Sequence, residues 1–203
     1  MLRCREGFDP APLFTRFRER CRESVEYQGD GWGLAYRVGG DWTRHRSLAP
    51  IWEDAVPLPA RVNLLVGHAR SAFRNEGIVP ENNMPFYRDD RVFVFNGELH
   101  GVRVRAPGRI GAEKILHLLS RVDRGDLTQA LVAVDRLLHA RSRYVKAMNV
   151  AVVDGDRIHA LCRYAERPDY FTLHARAGDL AGVCSVPLDQ GFQPMANGET
   201  RVL

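Results

Sequence analysis

Two amphipathic helices in direct succession constrain this chain more than any other feature. Residues 111–122 carry Ile115, Leu116, Leu118 and Leu119, and residues 127–139 carry Leu127, Leu131, Val134 and Leu138, both at helical spacing. The segment Asp123-Arg124-Gly125-Asp126 joins them. Strand-like runs lie on both sides of this pair, and one further helix precedes them. A helix, several strands, two helices and again strands predict an α+β fold with antiparallel sheets, because alternating βαβ units would interleave the two types.

Near the N-terminus, Asp9-Pro10 followed by Leu13, Phe14, Phe17, Cys21 and Val25 predicts a helix with Asp9 as N-cap and Pro10 at the first helical position. Cys21 falls on its buried side. Gly29-Asp30-Gly31-Trp32-Gly33 then leads into a strand reaching about Val38. Glycines around one tryptophan suggest backbone packed against a pocket wall. Gly39-Gly40-Asp41 reads as a hairpin turn, with Trp42 to Arg46 returning. Later strands are expected over residues 148–153, 157–164, 170–175, 181–185 and 200–203.

Two stretches carry candidate chemistry. Val62-Asn63-Leu64-Leu65-Val66-Gly67-His68-Ala69-Arg70-Ser71 reads as a central strand with its polar residues gathered at the C-terminal end. Arg70 suits a carboxylate there, because its planar fork donates two parallel hydrogen bonds; an ordinary surface arginine is the equal alternative. His68 is better explained as a satisfied core histidine. In the second stretch, apolar Val92-Phe93-Val94-Phe95 runs into Asn96-Gly97. This predicts a buried strand ending in a tight turn, where an amide side chain and a glycine N–H can face one developing negative charge. Asn-Gly by itself is also a common hairpin loop. The long segment between the two stretches contains Asn83-Met84-Pro85-Phe86, whose apolar residues predict a packed loop that brings Asn83 and Phe86 beside the Asn96-Gly97 turn.

At 203 residues the chain is long enough for one sizeable core, so a single domain over 1–203 is expected. Charges at Arg3, Arg5 and Glu6 occupy the place of a signal peptide's apolar core, and the apolar runs are short; a cytoplasmic protein without membrane contact is the expectation. Cys4, Cys21, Cys162 and Cys184 contain no Cys-x-x-Cys pair, so neither zinc nor a disulfide framework is expected. The net charge of +4 comes from arginines scattered along the chain, with Lys114 and Lys146 the sole lysines. No basic stripe with interleaved aromatics is evident, which argues against nucleic acid as a partner.

Taken in order, Gly29-Asp30-Gly31-Trp32-Gly33, Gly67-His68-Ala69-Arg70, Asn83-Met84-Pro85-Phe86 and Phe95-Asn96-Gly97 resemble the class II glutamine amidotransferase domain of the N-terminal-nucleophile hydrolases, stand-alone type. The resemblance covers nearly the whole chain. It implies a four-layer αββα sandwich of two antiparallel sheets flanked by helices, acting without cofactor or metal. Its chemistry is attack by an N-terminal cysteine on the side-chain amide of glutamine or a γ-glutamyl compound, with the cysteine's own α-amine as base. Here that cysteine would be Cys4, with the Asn96 side chain and the Gly97 N–H as oxyanion hole. Arg70 would hold the α-carboxylate, and Ser71, Asn83, Phe86 and Trp32 would complete the binding residues. A transferase of this kind would pass ammonia to a synthase subunit; a hydrolase would need none.

The chain departs from that pattern in three places. Leu2 stands where the family's cysteine follows the initiator methionine, so Cys4 has a free amine only if Met1-Leu2-Arg3 is removed. The expected apolar first strand is the charged Cys4-Arg5-Glu6-Gly7-Phe8. Gly111 replaces the acidic residue that pairs with the substrate ammonium, an interaction worth on the order of 1.5–3 kcal/mol. Glu113, the next acid, matches a structural position. These departures support a second reading, an inactive amidotransferase-like binding or scaffolding subunit.

Overall fold

A computed structural model describes residues 1–73 and 76–203. In chain order the elements are β1 (Leu2–Phe8), α1 (Ala11–Arg22), β2 (Trp32–Val38), β3 (Asp41–Ser47), β4 (Val62–Ala69), a 3-10 turn (Pro80–Asn82), β5 (Phe86–Arg88) and β6 (Arg91–His100). There follow α2 (Gly111–Val122), α3 (Leu127–Arg141), β7 (Tyr144–Asp154), β8 (Arg157–Leu161), α4 (Pro168–Phe171), β9 (His174–Arg176), β10 (Ala181–Cys184), β11 (Gln193–Pro194) and β12 (Thr200–Val202). The fold is α+β with two antiparallel sheets and four helices, as the element order predicts. Among the described residues no helix is long and apolar enough to cross a membrane. The chain divides into two compact units.

The first unit comprises Met1–Pro85, Ala177–Gly182 and Leu188–Gln190. Its strands lie in the order β10-β1-β4-β2-β3. The β2–β3 hairpin turns at Gly39-Gly40 as expected and pairs Trp32 with Ser47 through Val38 with Asp41. On its other side β2 pairs β4, Trp32 opposite Ala69 and Arg37 opposite Leu64. One face of this sheet packs on α1: the Trp32 ring lies 5.8 Å from that of Phe14, and a Cβ on Gly67 would sit 2.8 Å from the Phe17 ring. Gly33 faces the other way, where a Cβ would come within 2.3 Å of the Met84 carbonyl oxygen; only glycine lets that segment lie against the sheet. Asp9 caps α1 by accepting from the Ala11 N–H at 2.9 Å, although Pro10 takes the N-cap position itself. The helix stops at Arg22, leaving Val25 beyond it and 78% exposed, while Cys21 is buried.

The second unit comprises Phe86–Arg176, Val183–Pro187 and Gly191–Leu203. It contains a sheet in the order β12-β8-β7-β6-β5. The helices α2 and α3 pack on each other, and α3 also packs on β7 and β8; its Leu131, Val134 and Leu138 are buried. Asp126 caps α3, accepting from the Gln129 N–H at 3.0 Å. Residues 168–171, expected as strand from Tyr170, form α4 because Pro168 occupies a first-turn position and Arg167 turns the chain with φ of 53°.

One correction bears on the site. Asn96-Gly97 is no turn: β6 runs through both residues to His100, with Asn96 opposite Asn149 and Gly97 opposite Met148 on β7. The two-residue hairpin loop is instead Asp89-Asp90, with φ of 50° and 60°, closing β5 onto β6 at Arg88 opposite Arg91. Both backbone conformations suit that loop, and aspartate tolerates the left-handed region better than most residues. Gly97 serves a different need. A Cβ there would lie 2.1 Å from the Ala147 carbonyl oxygen, so the close approach of β7 requires glycine within the strand.

Candidate functional site

In the first unit the candidate residues are built into the fold. Cys4 lies inside β1, 9% exposed. Leu2 and Arg3 before it pair on both sides, with Leu65 and Leu64 of β4 and with Gly182 and Ala181 of β10. The nitrogen of Cys4 is thus a peptide nitrogen within a strand whose first two residues already have neighbours left and right. The charged first strand is a full seven residues, because Leu2 and Cys4 point inward while Arg5 and Glu6 remain exposed. Beyond Arg3 the register with β4 is irregular until Phe8, and Asn63 and Arg61 donate to the carbonyls of Arg5, Glu6 and Gly7.

Trp32 is 0% exposed. Its Nε1–H donates to Asp54 Oδ2 at 3.1 Å, and the same oxygen lies 3.2 Å from His45 Nε2. Partial burial pushes the Asp54 carboxyl up, but hydrogen bonds from Ser47, His45 and Trp32 outweigh it and hold its pKa below the ordinary aspartate value. Asp54 had no signal in the sequence, since it sits in an irregular proline-containing connector.

Arg70 follows β4 directly and is buried. Its fork donates to two carbonyls of its own downstream loop, Gly77 at 2.8 Å and Glu76 at 3.2 Å. Asn82 Nδ2 donates to the same Gly77 oxygen at 2.9 Å. Burial lowers the Arg70 pKa, with the nearby Asp30 charge acting the other way. Ser71 is exposed. Asn83 is 0% exposed and donates to the Ser47 carbonyl at 2.8 Å, while its Oδ1 is buried without a hydrogen-bond partner among the described residues.

The second unit holds Phe86, Asn96 and Gly97. Phe86 is buried on β5 opposite Phe93. Two asparagines face each other across β6 and β7, and they differ. Asn149 is buried and uses both ends of its amide: Nδ2 donates to the Phe171 carbonyl at 2.6 Å and Oδ1 accepts from the Arg163 N–H at 2.8 Å. Asn96 is half-buried, and its amide has no hydrogen-bond partner among the described residues.

The direction of the Gly97 N–H follows from the ladder. Met148 donates its own N–H to the Arg163 carbonyl at 2.7 Å, on the side of β7 away from β6. In an antiparallel pair the residue opposite must then point its N–H away as well, so that of Gly97 faces the far edge of β6. On that edge β5 pairs only with Arg91, Val92 and Phe93. Among the described residues the Gly97 N–H and the Asn96 amide are therefore adjacent donors with unused capacity, as stabilisation of an oxyanion or binding of a carbonyl oxygen requires.

At the start of α2, a Cβ on Gly111 would meet nothing within 4 Å, so space for an acidic side chain exists where none is present. Glu113 is structural: its carboxylate accepts from the Arg109 N–H at 2.6 Å and pairs with the Arg109 guanidinium at 2.8 Å, closing the helix N-terminus.

No protein-family model matches the chain, and no curated protein matches its sequence. Solved structures do match. A glutamine aminotransferase class-II domain protein from Silicibacter pomeroyi superposes with a TM-score of 0.59 at 18% identity, over 84% of this chain and 86% of that one. A predicted glutamine amidotransferase from Pseudomonas aeruginosa PA01 gives 0.53 at 20% identity, over 85% and 84%. The glutamine phosphoribosylpyrophosphate amidotransferase of B. subtilis, complexed with ADP and GMP, gives 0.57 at 16% identity, over 87% of this chain but 40% of its own length. At these identities the likeness is one of fold: the α+β architecture of the chain is similar to that of these glutamine amidotransferase structures.

Proposed function

We propose that the chain is a single class II glutamine amidotransferase-like domain that binds a small carboxamide or carbonyl compound without hydrolysing it, as a binding or scaffolding subunit. The observation that carries this reading is the pairing of Leu2 and Arg3 on both sides of β1. A cysteine two residues further in has no α-amine beside its thiol, and the general base of the N-terminal-nucleophile mechanism is missing. Arg70 supports the same reading, because two backbone carbonyls already hold its fork within the protein. Gly111 removes the carboxylate expected to meet a substrate ammonium. What is retained is the donor pair at Asn96 and Gly97, the part of the machinery that recognises a carbonyl oxygen.

The test is incubation of the protein with a diazoketone analogue of glutamine, followed by intact-mass measurement and a glutaminase assay. The expected result is no covalent adduct and no glutamate. Stoichiometric labelling of Cys4 would overturn the reading.

That outcome would favour the second reading, which the unused donors at Asn96 and Gly97 also support: an amidohydrolase of glutamine or a γ-glutamyl compound, active after removal of Met1-Leu2-Arg3. In it Cys4 would attack the carboxamide carbon, its freed amine accepting the thiol proton. Ammonia or an amine would leave, and water would release glutamate from the thioester. Ser71, Asn83, Phe86 and Trp32 would be the further binding residues, as the resemblance implies. As a transferase the chain would need an ammonia-accepting synthase subunit as its protein partner, whereas a stand-alone hydrolase would need none.

A further inference from the structure

A second polar cluster adjoins the Asn96-Gly97 donors within the second unit. Asn96 and Glu98 are alternate residues of β6, so their side chains leave one face of the strand roughly 7 Å apart. Across from them on β7 the register breaks: Ala147 pairs with Glu98 and Val145 with Leu99, which leaves Lys146 as an extra residue. A bulge of this kind re-aims the extra side chain. Lys146 accordingly reaches Glu98, its Nζ donating to Oε2 at 3.2 Å. The bulged backbone is fixed on its other side, where the Lys146 carbonyl accepts from the Ala165 N–H at 2.8 Å.

A separate set of contacts also ties this ammonium to the neighbourhood of Asn96. Asn149 stands directly across from Asn96, with Cβ atoms about 5 Å apart in such a pair. Its Nδ2 donates to the Phe171 carbonyl at 2.6 Å, and Lys146 Nζ lies 5.9 Å from the centroid of the Phe171 ring. The circuit from Asn96 through Asn149, Phe171, Lys146 and Glu98 thus closes on itself along β6.

Its charged members are unequally used. Glu98 spends both oxygens, Oε2 on Lys146 and Oε1 on His100 Nε2 at 2.6 Å. Glu166 is hydrogen-bonded to Tyr144, which stacks on His100. Lys146 makes one hydrogen bond among the described residues, whereas an ammonium has three N–H donors. Donors therefore remain for a carbonyl oxygen and for an anion, while both acids of the cluster already have partners. Gly111 supplies no further carboxylate.

We propose that Lys146 is the anion anchor of the carbonyl site, whose ligand is a short ω-carboxamide carboxylate without an α-amine. The proposal rests on the carbonyl-binding reading of Asn96 and Gly97 and adds the second end of the ligand. The step of roughly 7 Å between same-face residues sets the length, about two or three methylenes between amide and carboxylate. The Lys146 side chain is 21% exposed, and partial withdrawal from water strengthens its attraction for an anion.

The experiment titrates the full chain at low salt with butyramide, glutaramate and L-glutamine, following the Asn96 side-chain amide and the Gly97 N–H by heteronuclear NMR. Glutaramate is expected to bind at least tenfold more tightly than either of the others. Lys146→Met should abolish its advantage over butyramide. The double variant E98Q/K146M, which leaves no unpaired charge at the ion pair, should do the same with an unaltered thermal midpoint. Glu98→Gln alone should tighten glutaramate several-fold, because the competing carboxylate is gone; a purely structural ion pair would not respond in this way. Equal affinity for glutaramate and butyramide, with both signals shifting, would overturn the proposal and leave the carbonyl-binding reading standing. An advantage that survives Lys146→Met, or tightest binding of L-glutamine, would overturn it as well. If none of the three moves either signal, the carbonyl-binding reading falls and the proposal with it.

Discussion

The candidate residues of the first unit and those of the second are the same kinds of side chain in different states of employment. Trp32, Arg70 and Asn83 each direct polar groups to Asp54, to the carbonyls of Glu76 and Gly77, or to Ser47. Leu2 and Arg3 close both edges of β1 ahead of Cys4. On β6, by contrast, Asn96 and Gly97 keep donors without a hydrogen-bond partner among the described residues. An arginine or asparagine in the right motif is thus insufficient for a site. What separates a binding residue from a structural one is whether its hydrogen bonds are already made within the protein, since breaking a buried one costs more than a ligand contact restores.

The most severe way to break this contrast is to produce the chain starting at Cys4. Removing Met1-Leu2-Arg3 deletes a buried leucine and the start of two strand pairings, and the expected loss is about 4 kcal/mol in urea unfolding. A truncated protein as stable as the whole, and labelled at Cys4 by the diazoketone, would show that β1 can open its end to a substrate. Next in size is Arg70→Ala. As a structural residue its loss should lower stability by about 2 kcal/mol through its packed stem and two carbonyl bonds; unchanged stability would make it an open binding group after all.

Asp54→Ala should cost about 1.5 kcal/mol at neutral pH, since Trp32 and His45 lose their acceptor. Its pH dependence gives the sign. The fold lowers the Asp54 pKa, so its contribution is present above about pH 4 and disappears as the pH falls through the lowered folded value. Wild type should therefore converge on the variant in acid, and a constant gap between about pH 3 and pH 7, read by thermal midpoint, would contradict the linkage. The smallest effect is expected at Asn96→Ala, within about 0.5 kcal/mol of wild type. A large loss there would mean that its amide is engaged within the fold to the same degree as that of Asn149.

Local chemistry made much of the fold legible. Both bounds of α2 agree with the apolar spacing of residues 111–122, and the Gly39-Gly40 hairpin lies where two adjacent glycines predict it. The reading of Asn96-Gly97 as a turn failed for an identifiable reason. That dipeptide favours a hairpin only when the backbone turns, whereas here the long-range ladder with β7 keeps it extended, and glycine is needed for the Ala147 carbonyl instead. The candidate site was legible as a set of residue types, but not in its hydrogen bonds. Nothing around Arg70 in sequence announces that Gly77 would occupy its fork, and Asp54, far from any motif, holds Trp32.

The Asp89-Asp90 loop has a bearing on the order in which the second unit assembles. Holding two non-glycine residues in left-handed conformation opposes closure by on the order of 1 kcal/mol each. The β5–β6 hairpin is consequently a weak starting point despite its short loop. The chain between β6 and β7 is long, but α2 and α3 fold it back on itself and bring those strands' ends together. Local helix formation would shorten the entropic distance of the longest ladder, and β5 would join last, as a strand recruited to an existing template.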